Sequence, residues 1–222
     1  MFKTTWETLP QKTMELILPE LGNTFYMVAL ATLFSLLFGT IMAVLLISTE
    51  NQELTPNRTV NLVLDTIVNI VMAFPFIILA IYIIPFTRLI AGTSIGPKAA
   101  VVPLTIVGAA FVAKLYRDGL REVNPWVIHG AKSFGASNWQ IIRIMLKESL
   151  PALFSGFIMT VINLLAYTTM AGALGAGGVG SVAILYGYQH QDTLLIVAVA
   201  FVLLVLVEIF QFTGDGLYKK LK

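Results

Sequence analysis

The side chains that most often perform chemistry are few in this sequence and stand far apart. The chain has two histidines, His129 and His190, and no cysteine. Neither histidine has a pair of carboxylates beside it, and the span pattern described below places the two on opposite sides of a membrane. A metal site or a nucleophile–base set needs several such groups to converge. We therefore expect no metal site and no catalytic residue; a membrane-embedded enzyme would need a convergent polar site that the sequence does not display.

One glycine motif matches a nucleotide-binding pattern. Gly175, Gly177 and Gly180 fit G-x-G-x-x-G, but this motif acts within a strand–turn–helix unit that has an acidic residue about 20 positions further on. Since neither is found here, we interpret the match as coincidental. The segment is better explained as a flexible external turn, either a docking place for a binding protein or a plain loop.

A second nucleotide motif is missing from the sequence. The chain contains no G-x-x-x-x-G-K-[ST] phosphate loop, whose backbone and lysine would cradle ATP. Any ATP hydrolysis, with its Mg²⁺, must therefore occur in a partner chain. We expect no cofactor bound by this one.

Composition indicates a membrane protein. Apolar residues make up 57% of the chain and charged residues only 12%, about half the charge of a typical soluble domain. A bilayer can solvate such a surface if the backbone satisfies its own hydrogen bonds. The net charge of +2 is too small to indicate nucleic-acid binding.

Five segments are long and apolar enough to cross a bilayer, which takes roughly 20 residues. Pro75 and Pro85 lie within the second of these segments. Glu208 lies within the fifth, and for this carboxylate we favour a structural pairing near the membrane interface over a functional role. The spans are predicted at about 22–49, 66–87, 99–120, 151–172 and 192–214. The sequence thus predicts an all-α integral membrane protein of five transmembrane helices, forming a single domain over 1–222.

The basic residues indicate an orientation. Five spans put the termini on opposite sides, and basic residues concentrate on the cytoplasmic side of membrane proteins. Here the larger group is Arg58, Lys114, Arg117, Arg121, Lys132, Arg143, Lys147, Lys219, Lys220 and Lys222; the smaller is Lys3, Lys12, Arg88 and Lys98. The N-terminus is therefore predicted outside and the C-terminus in the cytoplasm.

The segment 122–148, between the third and fourth spans, differs from the rest of the chain. Asn124-Pro125 indicates a helix start, Trp126, Ile128 and Ala131 can share one face, and Gly135 ends the helix. Ser137 or Asn138 can then cap a second short helix, which runs through Trp139, Ile142 and Met145. Two short helices on the cytoplasmic face predict either a docking surface or an ordinary interfacial loop.

This segment resembles the EAA loop of permeases of bacterial ATP-binding-cassette (ABC) importers. The resemblance rests on His129-Gly130-Ala131, on Gly135 and on Leu150-Pro151, although the family's leading Glu and first Ala are His129 and Gly130 here. It implies that the loop forms a coupling helix inserted into a cleft of an ATPase subunit. The residues expected to make that contact are His129, Gly130, Ala131, Gly135, Ala136 and Ser137.

Further segments, in order along nearly the whole chain, resemble methionine-type permeases of this class: 23–27, 75–77, 85–90, 92–96, 103–105, 121–123, 167–173 and 186–189. The resemblance implies a homodimer of five-helix subunits in a bacterial inner membrane. It also implies two cytoplasmic ATPase subunits, an external methionine-binding protein, and import of methionine, including the D-form or close analogues. Transport would proceed by alternating access driven by the ATPase.

An ion-coupled secondary amino-acid carrier is the alternative. Such carriers usually show internal repeats and buried acidic residues at mid-membrane. No repeat is visible here, and Glu208 is the one fair acidic candidate within the spans.

The fourth span carries the candidate pathway residues. Asn163, Tyr167 and Thr168 give it a polar side that either lines a pathway or bonds to neighbouring helices. Met170 follows among small residues, where its adaptable thioether could close a narrow pathway at a dimer axis or simply pack between helices.

Overall fold

The computed structural model describes residues 4–50 and 54–221, and the regular structure within these ranges is entirely helical. The first helix, α1, is Leu9–Glu50 and includes a π-helical stretch at Thr13–Ile17. At 1.5 Å per residue it is about 60 Å long, roughly twice the hydrocarbon thickness of a bilayer. It therefore extends beyond the membrane. Lys3 and Lys222, which belong to the charge pattern above, lie outside the described residues.

The segment predicted as one span over 66–87 runs through three helices. They are α2 (Arg58–Ala73), α3 (Phe76–Tyr82) and α4 (Ile84–Ala91), and α2 and α3 are bent by 108° relative to each other. Phe74 is extended, as the residue before a proline prefers to be, and Pro85 stands in the first turn of α4. Both prolines thus separate helices, whereas we expected one span to accommodate them.

Within the described residues, four helices are long and apolar enough to cross a membrane, or five spans if the bent α2–α3 pair counts as one. Besides α1 they are α5 (Pro97–Arg121), α8 (Leu150–Ala173) and α10 (Thr193–Leu221). These overlap the predicted spans. Two short helices, α6 (Pro125–Ser133) and α7 (Asn138–Glu148), join α5 to α8. A further helix that we did not predict, α9 (Val179–Tyr188), lies between α8 and α10.

Helices α1 and α5 pack closely because small residues face each other. A side chain at Gly39 would collide with Val112, and one at Gly108 would collide with Ser35. The Ser35 hydroxyl donates to the backbone oxygen of Thr105 at 3.3 Å. Small residues of this kind permit close helix approach within a membrane, so this pair forms the rigid centre of the subunit.

Two ends of the bundle can be distinguished by contacts at or near the helix ends. At the first, the Asp192 end, Lys12 meets Asp192 and the Gly96 N–H donates to the Gly175 oxygen. At the second, the Glu50 end, the C-terminal residue of α1 meets Arg121 at the end of α5. The α6–α7 hairpin follows Arg121 directly and therefore lies at the Glu50 end.

Candidate functional site

Local sequence signals build the α6–α7 hairpin. The Asn124 side chain accepts a hydrogen bond from the Trp126 N–H at 3.0 Å, which caps α6. Gly135 adopts a positive φ of 81°, a conformation that glycine tolerates best. Ser137 and Gln140 then form a reciprocal capping box at the start of α7. The sequence prediction of two short helices separated at Gly135 is confirmed.

The hairpin rests on the Glu50 end through an apolar underside. Ile128 of α6 and Ile141, Ile142 and Met145 of α7 are buried against the ends of α1 and α5, together with Ile47, Leu54, Leu120 and Val123. Burying several such side chains contributes about 1.5–3 kcal/mol for each. The hairpin is therefore attached to the bundle, so that a force applied to it reaches α1 and α5.

The prediction that Trp126 shares one face of its helix with Ile128 is wrong, because Ile128 is buried and Trp126 is not. Trp126 is 80% exposed and Trp139 is 61% exposed. The face of each helix that packs is set instead by Ile128 and Ile141, which bury more completely. Phe134, at the turn between the helices, is 94% exposed. Three large aromatic side chains thus project from the outer surface of the hairpin.

The six residues expected to contact an ATPase lie within this hairpin. His129, Gly135 and Ser137 are exposed, while Gly130, Ala131 and Ala136 are half-buried. The His129 ring lies edge-on to the Trp126 ring, with 6.2 Å between centroids. We call the aromatic residues Trp126, Phe134 and Trp139, with these six neighbours, the hairpin surface. An exposed apolar patch of this kind fits either a contact with another protein or contact with the membrane interface.

An ion pair with a buried arginine and a half-buried aspartate lies behind the hairpin, and sequence reasoning missed it. Arg117 of α5 contacts Asp65 of α2, and its side chain is only 4% exposed. Asn69 donates to the other oxygen of Asp65 at 2.8 Å, and Asp118 lies 3.7 Å from the Arg117 Nε. Charges in apolar segments pair with one another, and that rule could have found this contact. The pair links the bent α2 to α5, the helix that leads into the hairpin.

The predicted pathway residues of α8 do not all share one face. Met170 is exposed and Asn163, two turns earlier, is half-buried on the same side of the helix. The Tyr167 ring instead stacks on Phe76 of α3 at 5.1 Å. Thr168 is buried and donates to the Leu165 oxygen at 2.6 Å. Asn163, Tyr167 and Met170 therefore lie on one side of α8, with the Tyr167 ring covered by Phe76, whereas Thr168 faces the interior of the subunit.

The glycine segment after α8 is held in place by α1. Gly175, Gly177 and Gly178 adopt positive φ angles. The Gly178 N–H donates to a Glu20 carboxylate oxygen at 2.5 Å, and the Val179 N–H donates to the Thr24 hydroxyl at 2.9 Å. Turn geometry and contact with α1 thus account for these glycines without any bound phosphate.

Asp192 organises the same end of the molecule. Its carboxylate accepts hydrogen bonds from the Thr4 N–H at 2.8 Å and from the Lys12 Nζ at 3.1 Å. It also accepts one from the Leu195 N–H at 3.2 Å, which caps α10. Burial acts to raise the pKa of Asp192, but the hydrogen bonds from Thr4 and Lys12 outweigh it and hold the pKa below the usual value. The ionised carboxylate thus ties the N-terminal segment to α10.

The histidines lie at opposite ends, as the sequence predicts. His129 is on the hairpin surface, and the His190 Nδ1 is 2.9 Å from the Leu185 oxygen at the Asp192 end. Across residues 4–50 and 54–221, no group of three or more His, Cys, Asp or Glu side chains is placed to hold a metal ion.

Comparison with known proteins agrees with this arrangement of helices and hairpin. Residues 35–222 match the family described as binding-protein-dependent transport system inner membrane component. The chain belongs to this family. It is therefore the membrane-spanning permease component of an ABC importer, and the comparisons give no support to an ion-coupled carrier.

Relatives within this family cover nearly the whole chain. The chain is 39% identical to a probable D-methionine transport system permease protein, MetI, of Pasteurella multocida, over 97% of this chain and 96% of that one. It is 40% identical to the corresponding protein of Vibrio cholerae, over 93% and 92%. It is 41% identical to the methionine import system permease protein MetP of Bacillus subtilis, over 77% and 78%.

A solved structure has the same fold. The MetNI methionine ABC transporter in an inward-facing conformation matches with a TM-score of 0.92 at 36% identity, over 96% of this chain and 99% of that one. An amino acid ABC transporter crystallised with histidines matches at 0.77 and 20% identity, which indicates the fold alone.

Proposed function

We propose that this chain imports methionine, in the L- and D-forms or close analogues, as the permease subunit of an ABC importer. The proposal rests on sequence similarity to methionine permeases. Two of them are 39% and 40% identical to this chain along almost its full length. In such importers an external binding protein delivers the substrate, so the relatives, rather than residues of the permease, carry the assignment of the substrate. The proposal takes the whole of 1–222 as one permease domain in a bacterial inner membrane.

The working unit in this proposal is a homodimer with two ATPase subunits. One subunit has too few helices to enclose a hydrophilic path, and α8 turns Met170 and Asn163 away from its own bundle. A second copy facing this side would place the two α8 helices along a shared axis. Met170 then closes the pathway, Asn163 and Tyr167 contribute its polar lining, and Thr168 supports α8 from behind.

The hairpin surface is the proposed contact with the ATPase. It projects three large aromatic side chains from the Glu50 end, and its underside is firmly packed on α1 and α5. The six residues His129, Gly130, Ala131, Gly135, Ala136 and Ser137 would lie in or beside the contact. ATP and Mg²⁺ would be bound by the ATPase, and its closure would push the hairpin and rock the helices behind it.

This assignment fixes the orientation of the proposed importer. If the ATPase meets the hairpin, the Glu50 end is cytoplasmic and the Asp192 end is external. The N-terminal segment would then lie outside and α10 would end in the cytoplasm, as the basic residues indicate. The Asp192 end, with the glycine segment and α9, would face the external binding protein.

Uptake by the reconstituted importer tests the proposal. Proteoliposomes would contain this chain and its ATPase, with ATP and Mg²⁺ enclosed and the methionine-binding protein added outside. We expect labelled L- and D-methionine to accumulate only with ATP, and a protonophore to leave the rate unchanged. Uptake that needs an ion gradient and ignores ATP would overturn the assignment, and ATP-driven uptake of other amino acids without methionine would overturn the substrate.

A further inference from the structure

A pocket at the Asp192 end contains a polar group without a partner. The pocket has a volume of about 260 Å³ and lies between α3, α4, α5 and the segment after α8. Thr87 of α4 lines it and is only 4% exposed. Within the described part of the chain, the Thr87 hydroxyl oxygen makes no hydrogen bond. We call this the Thr87 pocket.

An unpaired buried hydroxyl is unfavourable, so a group that bonds to it would be favoured in this pocket. The remaining wall is mostly apolar and includes Ala80, Ala100 and Phe76. Ser94 also lines the pocket, and its hydroxyl accepts a hydrogen bond from the Arg88 Nη2 at 3.4 Å. The pocket therefore combines an apolar interior, one free hydroxyl and a guanidinium beside its rim.

The size and position of the Thr87 pocket limit which molecules could bind in it. The volume is at the lower limit for ligand pockets, which are usually 300–1,000 Å³, and suits a molecule of about ten non-hydrogen atoms. Phe76 separates the pocket from Tyr167 of α8, on whose ring it stacks. The pocket thus adjoins the helix that carries Met170 and lies at the end where substrate would arrive.

We propose that the Thr87 pocket is a binding site on the permease for an amino acid with an unbranched apolar side chain. This proposal rests on the function proposed above. The side chain occupies the apolar interior, the amino group bonds to the Thr87 hydroxyl, and the carboxylate lies at the rim beside Arg88. A lipid tail would fill the interior but would leave the hydroxyl unpaired. The pocket would receive the substrate after its release from the external binding protein.

Cysteine protection tests this site, because the native chain contains no cysteine. Ala80→Cys places a thiol in the pocket, and Ala110→Cys places one in a separate apolar groove on α5. Ala80 and Ala110 are 8% and 6% exposed, so the two positions are matched. N-ethylmaleimide labelling would be followed in the reconstituted complex without binding protein, with and without L-methionine. Ala100→Cys is a second pocket reporter if Ala80→Cys does not assemble.

We expect L-methionine and norleucine to slow labelling of the pocket thiol several-fold and to leave the Ala110→Cys thiol unaffected. Adding Thr87→Val should raise the half-protecting methionine concentration about fivefold, the effect of one lost hydrogen bond. Thr105→Val should not change it, although the Thr105 hydroxyl is also buried and unpaired, because Thr105 lies outside the pocket. Methioninamide, which lacks the carboxylate, should protect less well than methionine, and Arg88→Gln should remove that difference.

Uptake on the same proteoliposomes, after binding protein is added, separates the two proposals. Normal ATP-driven methionine uptake with no protection at either pocket reporter would overturn the site and leave the function intact. Protection by decanoate but not by methionine would assign the pocket to lipid and also overturn the site. Absence of methionine uptake by the unmodified complex would overturn the function on which the site rests.

Discussion

Arg117 of α5 forms an ion pair with Asp65 of α2, and its side chain is almost completely buried. The two residues are 52 positions apart in the chain. The pair fixes the first part of the bent segment against the helix that leads into the hairpin. A displacement of the hairpin would therefore act on α2 through this contact as well as on α1 and α5 through apolar packing.

Breaking the Arg117–Asp65 pair should destabilise the subunit. Arg117→Met removes the guanidinium from Asp65, whose side chain is 31% exposed and keeps its hydrogen bond from Asn69. The cost should therefore be about 1–3 kcal/mol, less than at a fully buried pair. Thermal unfolding of the purified permease in detergent measures the loss. Arg121→Gln is the control, since its pair with Glu50 is solvent-exposed and is worth less than about 1 kcal/mol. Equal melting temperatures for the two variants would contradict the buried role.

Removing an aromatic side chain from the hairpin surface should weaken ATPase binding. Trp126→Ala and Phe134→Ala each take away a large exposed side chain, and central aromatic residues of an interface contribute about 2 kcal/mol or more. The dissociation constant for the ATPase, measured on purified components, should rise roughly 30-fold. Trp6→Ala is the matched control, because Trp6 is 78% exposed at the opposite end. If Trp6→Ala alone lowered the affinity, the ATPase would bind at the Asp192 end, and the proposed contact with the hairpin surface would be contradicted.

Shortening Met170 should uncouple ATP hydrolysis from transport. If its thioether closes the pathway at the dimer axis, Met170→Ala leaves the closed state less well packed and easier to open. ATPase activity without substrate should rise while methionine uptake per ATP falls. Met159→Ala is the control, as Met159 is exposed on the same face of α8, three turns earlier. Unchanged basal activity and coupling in Met170→Ala would count against a gate.

Acidification should release the N-terminal segment from α10. Because the pKa of Asp192 is held below its usual value, ionisation stabilises the fold above the unfolded pKa of about 3.9, and that contribution is lost as the pH falls through the lower folded value. The protection factor of the Leu195 amide, which is the intrinsic exchange rate divided by the observed rate at the same pH, should be steady near neutrality and fall below about pH 4. Asp192→Asn should exchange faster at neutral pH and lose this acid response. Identical pH profiles for the variant and the native chain would contradict the role of the carboxylate.

Two glycines should respond in opposite ways to alanine. Gly178 has a positive φ, and an added Cβ would lie 2.8 Å from both Met27 and Thr24. Gly178→Ala should therefore lower stability by about 1–3 kcal/mol. Gly130 is within α6 with no atom in the way, and Gly130→Ala should raise helix stability by about 0.5–1 kcal/mol. Thermal unfolding of both variants checks the contrast, and a destabilised Gly130→Ala would show that α6 needs the glycine for a contact.

Local signals in the sequence predicted the hairpin well. Asn124-Pro125, Gly135 and Ser137 act on neighbouring backbone groups, so their effect can be read without knowing the tertiary fold. The faces of the two helices were less predictable. Trp126 and Trp139 are large and mostly apolar, as are the isoleucines beside them, and only the position of α1 and α5 decides which residues are covered.

Contacts between distant segments were hidden from sequence reasoning. The Asp65–Arg117 pair, the bonds from Gly178 and Val179 to α1, and the unpaired Thr87 hydroxyl all depend on which helices become neighbours. The bend after α2 was hidden for another reason. A proline within a membrane helix either is accommodated or breaks it, and the packing of α3 and α4 against α5 and α8 decides between these outcomes.

The bend between α2 and α3 also restricts how lipid can surround the subunit. Where the helix stops at Phe74, the carbonyl oxygens of its last turn lose their usual N–H donors. Hydrocarbon has nothing to offer those oxygens, so a chain interrupted at this depth must turn them toward protein or water. The side of the subunit that carries the bend must therefore be shielded from lipid by protein or water. The continuous, apolar α10, of which little is buried within the subunit, is suited to the lipid-facing perimeter.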